Sequence, residues 1–448
     1  MTTSPKLHYS VRVGTISSTI VVLAVIVLFC APGAASVPTS PHVAATASTS
    51  DFHSVTTSGA AISAIQAQVN VAATGATIHI PAGTYVGQLQ INHSLKLVGA
   101  GGAKTILRSP ATMTPDYLGN VFVIEIGNDS TVSISELSVE VTEQCMMSNS
   151  IGVATGGGIG VGGNSTLHVR DVAAFARGPH PNLNAECTTS TGSPGMYSFG
   201  RAISIGLDDP PGVGTNLQVE GHGTIVHVLA RGFDIFSLSV GGVRGLSSST
   251  ATIMDNVVRV GPGPYTAAYG IVVYGNSTVS HNLVTGEAGS DGGIADVYAS
   301  AVITHNIVRN FTCLTAPFPI TPACGVDPIF DDQDLGIFLA SISTGTVVQF
   351  NTIRDVDAGI LVEGPEPAAV ISHNRIFDST FYSIDVIDAV QTFGHNTLFG
   401  GMFAVAVGAE AVNATGVLFH DNISGDSVGI ALTEAISPWV AKAVIVPK

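Results

Sequence analysis

One short phrase recurs seven times between about residues 250 and 434, and it constrains the fold more than any other feature of the chain. Each copy has a few strand-forming residues, often a His, then an Asn and two or three apolar residues. The seven Asn residues are Asn256, Asn282, Asn306, Asn351, Asn374, Asn396 and Asn422. They lie 26, 24, 45, 23, 22 and 26 residues apart, so one unit has about 22–26 residues and one unit carries a long insertion. A fixed period in this range predicts a solenoid.

A second phrase lies between the Asn residues and consists of a Gly followed by apolar residues, as at Gly270, Gly336 and Gly359. The units are rich in strand-forming residues, are punctuated by Gly and Asn, and show no helical periodicity. The repeat therefore predicts stacked coils of β-strand, about a dozen of them, rather than a helical array.

These coils resemble the right-handed parallel β-helix of the pectin-lyase-like superfamily, including the PbH1-type repeats of NosD-like proteins. The resemblance implies an all-β fold, a single-stranded right-handed parallel β-helix, in which inward Asn side chains form a ladder at the tight turn of each coil. Asn suits that turn because it tolerates a left-handed backbone and can bond to neighbouring coils. The resemblance covers most of the chain after residue 60. It indicates the fold but not the function, because lyases, hydrolases, epimerases and adhesins share this architecture.

The N-terminal part of the chain predicts export. Residues 1–36 combine Lys6 and Arg12 with an apolar run and small residues after it, which is typical of a signal peptide, with an uncleaved membrane anchor as the alternative. Residues 37–59 are rich in Ser, Thr, Pro and Ala and predict a linker. A short amphipathic helix over residues 60–73 is expected to cap the open end of the solenoid. The β-helix is expected over residues 60–436, with a C-terminal tail at 437–448.

The net charge of the chain limits the classes of partner that it can bind. The formal net charge of −16 argues against nucleic acid as a partner. We expect a secreted or cell-surface monomer that contacts a membrane only if its N-terminal segment stays uncleaved.

Outside the apolar N-terminal run the chain has four cysteines, which suits two disulfides in an exported protein. Cys313–Cys324 and Cys145–Cys187 are the expected pairs, with four free thiols as the alternative.

An acidic column and a basic column are the main candidates for chemistry. Asp291, Asp334 and Asp357 each stand two residues before a Gly that starts a strand, and Asp331 and Asp332 lie in the adjoining loop. Asp-x-Gly is a common turn sequence. Stacked carboxylates also repel unless a Ca²⁺ ion or a shared proton neutralises them, which makes Asp291, Asp331 and Asp332 candidate Ca²⁺ ligands and Asp334 and Asp357 a candidate acid/base pair.

The basic column consists of Arg259, Arg309 and Arg354, each three residues after a repeat Asn. These side chains are expected to point outward, where they form surface ion pairs or bind the carboxylates of a uronate polymer. Arg309 and Arg354 are therefore predicted to serve a catalytic site together with Asp334 and Asp357.

Two further patterns have competing interpretations. Asp208-Asp209 followed by Gly221-His222-Gly223 resembles two polygalacturonase motifs, but the family's other motifs are missing, and alignment of Leu217–Val219 with Val132–Ile134 places Gly221 at a repeat-Asn position. Four His residues precede repeat Asn residues and form either a polar ladder or a pair of transition-metal sites. They are His281, His305, His373 and His395.

Two functions of different classes follow from these patterns. The first is an exported protein that binds an acidic polysaccharide and, if it is an enzyme, cleaves it as a lyase or a hydrolase. The second is a non-catalytic cell-surface or adhesive solenoid. A groove lined by the acidic column together with Arg309 or Arg354 would favour the first function, and a smooth polar surface would favour the second.

Overall fold

The computed structural model describes the chain from residue 60 to residue 446, with gaps. The described residues are 60–111, 113–114, 120–142, 155–177, 198–207, 220–232, 236–241, 248–261, 269–287, 290, 292–312, 334–340, 345–364, 369–387, 390–407, 415–419, 422–432, 439–441 and 444–446. All of them lie within one compact unit, Thr56–Lys448. The predicted signal peptide and linker, all four cysteines, Asp291, Asp331 and Asp332 lie outside the described residues.

The described strands form two parallel sheets, and successive coils add one rung to each. The first sheet has 13 strands, one per coil. They are Ala76–His79, Leu95–Val98, Thr131–Ser135, Ser165–Arg170, Gly221–Val226, Thr250–Met254, Ser277–Ser280, Val302–Thr304, Val347–Gln349, Val370–Ser372, Val390–Gly394, Thr415–Phe419 and Trp439–Ala441.

The other sheet, of 22 described strands, contains two columns of rungs. The second column follows the first sheet in each coil and has the strands Ala60–Ala61, Gly83–Val86, Thr105–Arg108, Ser138–Thr142, Ala173–Arg177, Leu229–Gly232, Val257–Val260, Leu283–Gly286, Ile307–Phe311 and Val444–Val446. The third column has Leu89–Ile91, Val121–Ile126, Thr155–Val161, Ser198–Ile205, Phe236–Val240, Tyr269–Val273, Gly292–Val297 and Leu335–Ala340. Four long strands pass through both columns, namely Thr352–Glu363, Arg375–Ile387, Thr397–Val407 and Asn422–Leu432.

The inward side chains of the coils pack into one continuous apolar core. Period-two alternation along each strand puts every second residue inside. Val258, Val284, Val308, Ile353 and Ile376, each two residues after a repeat Asn, are fully buried on successive coils. A β-branched residue suits this site because it packs well on a pleated surface.

The repeat Asn residues line the turn between the first sheet and the second column. Asn256, Asn282, Asn306, Asn351, Asn374 and Asn396 are 0–2% exposed. The Oδ1 atom of Asn351 accepts bonds from the backbone N and the Nδ2 of Asn306, at 2.9 and 3.0 Å. The Asn306 Nδ2 also donates to the Val279 carbonyl, at 2.8 Å. The same set repeats from coil to coil, so the amides satisfy one another along the solenoid axis.

The ladder does not run the whole length of the solenoid. The three coils before Asn256 have Leu137, Val172 and Val228 at the equivalent position, all buried. At the other end Asn422 pairs with Thr397 rather than with Asn396, so it lies one residue past the ladder position. The assignment of Asn422 to the ladder was therefore wrong, because sequence similarity alone did not settle the register of that coil.

The left-handed residue of the turn is the one before the Asn. Asp255, His281, His305, Phe350, His373 and His395 have φ between 57° and 59°. The expectation that the Asn itself takes the left-handed backbone was wrong. The Asn is needed instead for its side chain, which must donate and accept within a buried row.

The two ends of the solenoid also differ from the prediction. The helix spans Ser63–Val71, shorter than expected, and buries Ile65 and Val69. The Gln66 amide bonds to the backbone carbonyl and N–H of Gln90, at 2.9 and 2.8 Å, and so occupies groups at a strand edge. Within the described part of the chain no helix has the length and apolarity needed to cross a membrane.

The predicted tail at 437–448 contains two strands, Trp439–Ala441 and Val444–Val446. They pair with Thr415–Phe419 and with Asn422–Leu432. The solenoid therefore continues past residue 436, since these strands add rungs to both sheets.

Candidate functional site

The basic residues lie in one row on the outer face of the second column. Strand pairing aligns, coil by coil, Arg108, Glu140, Phe175, Arg231, Arg259, Thr285, Arg309, Arg354, Phe377 and Phe399. We call Arg231, Arg259, Arg309 and Arg354 the arginine row. They alternate with core residues along their strands and therefore face away from the core. Neighbouring rungs are ~4.8 Å apart. The row therefore presents two adjacent pairs of guanidinium groups, separated by the rung that carries Thr285.

The members of the arginine row differ in their partners. Arg231 is held by Glu287 in a two-pronged ion pair, with N–O distances of 2.7 and 3.1 Å. Arg354 lies 3.9 Å from Asp355, which is a loose contact between two half-exposed side chains. Arg259 is exposed and Arg309 is half-buried, and the buried Nε of Arg309 has no hydrogen-bond partner among the described residues. Arg259 and Arg309 are therefore the members best placed to accept an external anion.

Apolar and aromatic groups flank the arginine row. Val257 and Ile307, two residues earlier on the strands, are 38% and 42% exposed. Phe399 continues the row and is 46% exposed. On the coil between Arg354 and Phe399, the Arg375 guanidinium lies 5.3 Å from the centre of the Phe377 ring, within cation–π distance. The face thus combines cations with exposed apolar surface.

Asp334 and Asp357 occupy equivalent positions on neighbouring coils. Leu335 pairs with Ala358, and the Asp357 backbone N donates to the Asp334 carbonyl at 3.0 Å. Both residues are buried, at 5% and 2% exposure. No group of three or more His, Cys, Asp or Glu residues arranged for a metal occurs in the described ranges. The Ca²⁺ site predicted from Asp291, Asp331 and Asp332 lies outside those ranges and stays a prediction.

A stack of exposed aromatic rings lies beside the arginine row, at the left-handed position of each turn. We call His281, His305, Phe350, His373 and His395 the ring stack. Consecutive ring centres are 4.9, 5.0, 4.9 and 4.8 Å apart, with interplanar angles of 7° to 30°. Parallel rings direct their nitrogen lone pairs side by side and not toward a common point, so this geometry does not favour the transition-metal alternative.

The Gly221-His222-Gly223 part of the polygalacturonase-like motif lies on a strand of the first sheet. Gly221–Val226 is a strand of the first sheet, and Leu167 pairs with Gly223, so the alignment through Leu217–Val219 was wrong. The His222 imidazole contacts Thr250 Oγ1 at 2.9 Å and Asn164 Oδ1 at 3.2 Å. His222 is thus part of a polar ladder on the outer face of that sheet. Asp208 and Asp209 lie outside the described residues.

Sequence reasoning missed a buried arginine on the third column. The Arg201 side chain is fully buried, and its guanidinium contacts the hydroxyls of Ser204 and Ser239 at 3.2 and 3.4 Å. These serines alternate with core residues such as Ile203, so the cluster lies on the outer face of the column. The signal available in the sequence was an Arg beside an otherwise apolar strand.

Two buried carboxyl groups were missed as well. Burial raises the pKa of Asp296 from 3.8 to about 7, although bonds from Thr346 and the Ala301 backbone lower it. Burial likewise raises the pKa of Asp385 from 3.8 to about 6. Asp296 pairs with Val273 and Leu339, both core residues, and so it faces inward. Nothing in the repeat marks these two positions, since both substitute for apolar or small residues within regular strands.

Comparisons with known proteins give the following similarities. Residues 241–424 match a family described as "Right handed beta helix region". No curated protein sequence matches the chain. A solved structure of the periplasmic alginate epimerase is 14% identical, with 81% of this chain and 78% of that chain covered and a TM-score of 0.47. The A-module of a mannuronan C-5 epimerase from Azotobacter vinelandii is 13% identical, with coverages of 86% and 95% and a TM-score of 0.42.

A third solved structure, the DFA-IIIase from Arthrobacter chlorophenolicus A6, is 12% identical, with 85% of this chain and 92% of that chain covered and a TM-score of 0.43. With TM-scores below 0.5 and identities this low, the three structures carry no conclusion about this chain. The family match covers the Asn ladder, the ring stack and three of the four members of the arginine row, Arg259, Arg309 and Arg354. The chain is a right-handed parallel β-helix protein, the architecture expected from its resemblance to the pectin-lyase-like superfamily.

Proposed function

We propose that this exported β-helix protein binds an acidic polysaccharide along the outer face of its second column. The observation that carries the proposal is the arginine row, in which strand pairing aligns Arg259, Arg309 and Arg354 on one outer face, two rungs and then one rung apart. Arg binds carboxylates in a two-pronged geometry, so a polymer with one carboxylate per sugar suits a line of guanidinium groups.

The charge distribution makes such binding local. The chain carries a formal net charge of −16, so a polyanion is repelled by the molecule as a whole. Attraction must come from the arginine row at short range, within about one Debye length of ~8 Å at physiological salt. Binding is therefore expected to weaken steeply with added salt, unlike stacking on apolar surface alone.

The apolar groups beside the row favour a sugar over a simple anion. Val257 and Ile307 lie next to the guanidinium groups, and the exposed Phe399 ring continues the line. Sugar rings have apolar faces that pack on such side chains, while their carboxylates reach the cations. A non-catalytic surface solenoid would use this same face, so binding is common to both functions considered from the sequence.

Replacing Arg259 or Arg309 by Gln is expected to weaken binding to polygalacturonate about threefold to fivefold, and the double change about tenfold to twentyfold, because exposed ion pairs are individually weak and add when separate. Affinity electrophoresis or calorimetry measures the change. Arg108→Gln is the matched control, since Arg108 lies in the same row but its guanidinium is already 2.7 Å from Glu140. An equal loss in this control, or no binding by the unaltered protein, would contradict the proposal.

Cleavage of the polymer is a second candidate, favoured by the two carboxylates on neighbouring coils. Two carboxyl groups at equivalent positions on adjacent rungs are a residue pair that can serve acid and base roles. We expect the purified protein to release unsaturated uronate ends or reducing ends from a uronate polymer. Asp334→Asn is expected to abolish that release and leave binding unchanged. If no products form with any uronate polymer, the non-catalytic alternative holds.

A further inference from the structure

We propose that the ring stack is part of the same binding face and that protonation of its imidazoles strengthens binding. The protein would then bind a polyanion more tightly as the pH falls. This inference rests on the proposed function and adds its regulation. The stack lies at the turn that leads into the second column, and four of its five rings are imidazoles. Imidazole is the side chain that gains a positive charge between pH 8 and pH 5.

The geometry places the imidazoles next to the arginine row. His305 precedes the ladder residue Asn306, the exposed Ile307 follows, and Arg309 lies two residues further on the same strand. His281, His373 and His395 hold the same position on their coils. A polymer lying along the arginine row therefore runs parallel to the stack, separated from it by one row of side chains.

The rings present edges and not faces to a ligand. Their faces are occupied by one another at 4.8 to 5.0 Å, and all five side chains are exposed. Sugar stacking on this surface is therefore disfavoured. A protonated imidazole edge is instead a hydrogen-bond donor with a charge, and its preferred partner is a carboxylate.

No described carboxylate forms an ion pair with His281, His305 or His373. On the first-sheet side the strands end in the uncharged residues Ser280, Thr304, Gln349, Ser372 and Gly394. On the second-column side the adjacent row has Arg375 as its charged member, and beyond it lies the arginine row with Asp355 and Asp378. Asp255 stands at the upper end of the stack, and His420 of the next coil lies outside the described residues.

The same turn position carries three acids in earlier coils. Glu136, Asp171 and Asp255 occupy it, and the one imidazole there, His227, lies 3.4 Å from the Asp171 carboxylate. From His281 to His395 the position carries imidazoles and one Phe, and no acid. Backbone geometry does not require imidazole, because Asp, Asn and His all tolerate φ near 57°. The column therefore loses its carboxylates one coil after the Asn ladder begins.

Phe350 divides the stack into two pairs of imidazoles. Two neighbouring positive charges ~4.9 Å apart in water repel with an energy on the order of thermal energy. A carboxylate polymer alongside offsets that repulsion, so binding is accompanied by proton uptake. By linkage, protons that bind more strongly to the complex also strengthen the complex.

The test measures polygalacturonate binding at about pH 5.5 and about pH 8 at one ionic strength; polymer carboxylates are ionised at both. Binding is expected to be about tenfold tighter at the lower pH, from two to four added exposed ion pairs. Changing His281, His305, His373 and His395 to Asn, which suits the left-handed turn, is expected to bring the ratio to about one. The double variant His281→Asn/His305→Asn, which keeps one pair, is expected to give an intermediate ratio.

A second readout separates charge from structure. Calorimetry in two buffers of different ionisation enthalpy is expected to show net proton uptake by the unaltered protein and none by the fourfold variant. His168→Asn, on the outer face of the first sheet, is the control and should keep both properties. Binding that is equal at the two pH values, or a pH ratio retained by the fourfold variant, overturns this inference and leaves the arginine-row proposal standing. Absence of binding at both pH values overturns both proposals.

Discussion

Replacing Asn374 by Leu is expected to lower the free energy of unfolding by roughly 3–5 kcal/mol, because several buried partners lose their bonds at once. The Asn374 Oδ1 accepts from the backbone N and Nδ2 of Asn351, each at 3.0 Å, and its Nδ2 donates to Val348 and Asn396 at 2.8 and 3.1 Å. Leucine has a similar volume but satisfies none of these groups. Chemical denaturation of the two proteins measures the difference.

Asn276→Leu is the matched control for this prediction. Asn276 is exposed, and its Oδ1 accepts one bond, from the Ser300 backbone N at 3.1 Å. Its loss is expected to cost less than about 1 kcal/mol, because water replaces the lost partner. Equal effects of the two substitutions would mean that the ladder contributes no more than a surface amide.

The protein is expected to lose stability as the pH rises, through the buried carboxyl of Asp296. This residue is 0% exposed, and its pKa is raised from 3.8 to about 7 by burial. A raised pKa means that the folded state holds the proton more tightly than the unfolded state does. The contribution is therefore fully present below pH 3.8 and is lost as the pH rises through about 7. The shift corresponds to roughly 4 kcal/mol over that window.

Asp296→Asn is expected to remove most of this pH dependence and to stabilise the protein above neutral pH. The amide stays uncharged, and its oxygen can keep the bonds that Asp296 Oδ2 accepts from Thr346 and Ala301, at 2.9 and 3.1 Å. Unfolding midpoints between about pH 4 and about pH 8 measure the effect. Asp378→Asn, at an exposed left-handed turn position, is the control and should leave the slope unchanged. An unaltered slope in Asp296→Asn would contradict the assignment.

Local repetition was enough to predict the architecture. The spacing of the repeat Asn residues and the strand-forming residues around them predicted a β-solenoid. The alignment of Arg259, Arg309 and Arg354 followed from the same register, whereas Arg231 was not predicted. A repeat is informative because each coil packs mainly on its neighbours, so equivalent positions in sequence become neighbours in space.

The errors occurred where the repeat weakens. Asn422 looks like a ladder residue, yet it pairs with Thr397, and the strand at Gly221–Val226 was placed several residues too early. A one-residue change of register moves a side chain to the other face of the strand. The register of these coils depends on which residue of the preceding strand each residue pairs with. Similarity to the repeat sequence does not specify that pairing.

The amino-acid sequence by itself determined the coil period, the outward alignment of Arg259, Arg309 and Arg354, and six of the seven Asn residues assigned to the ladder. These features arise from short-range alternation and from repetition. Only the tertiary structure decided the burial of Asp334 and Asp357, the raised pKa of Asp296 and the face-to-face packing of the ring stack. Burial, solvation and ring contacts depend on groups brought together from different coils, and their strength is set by distance in space and not along the chain.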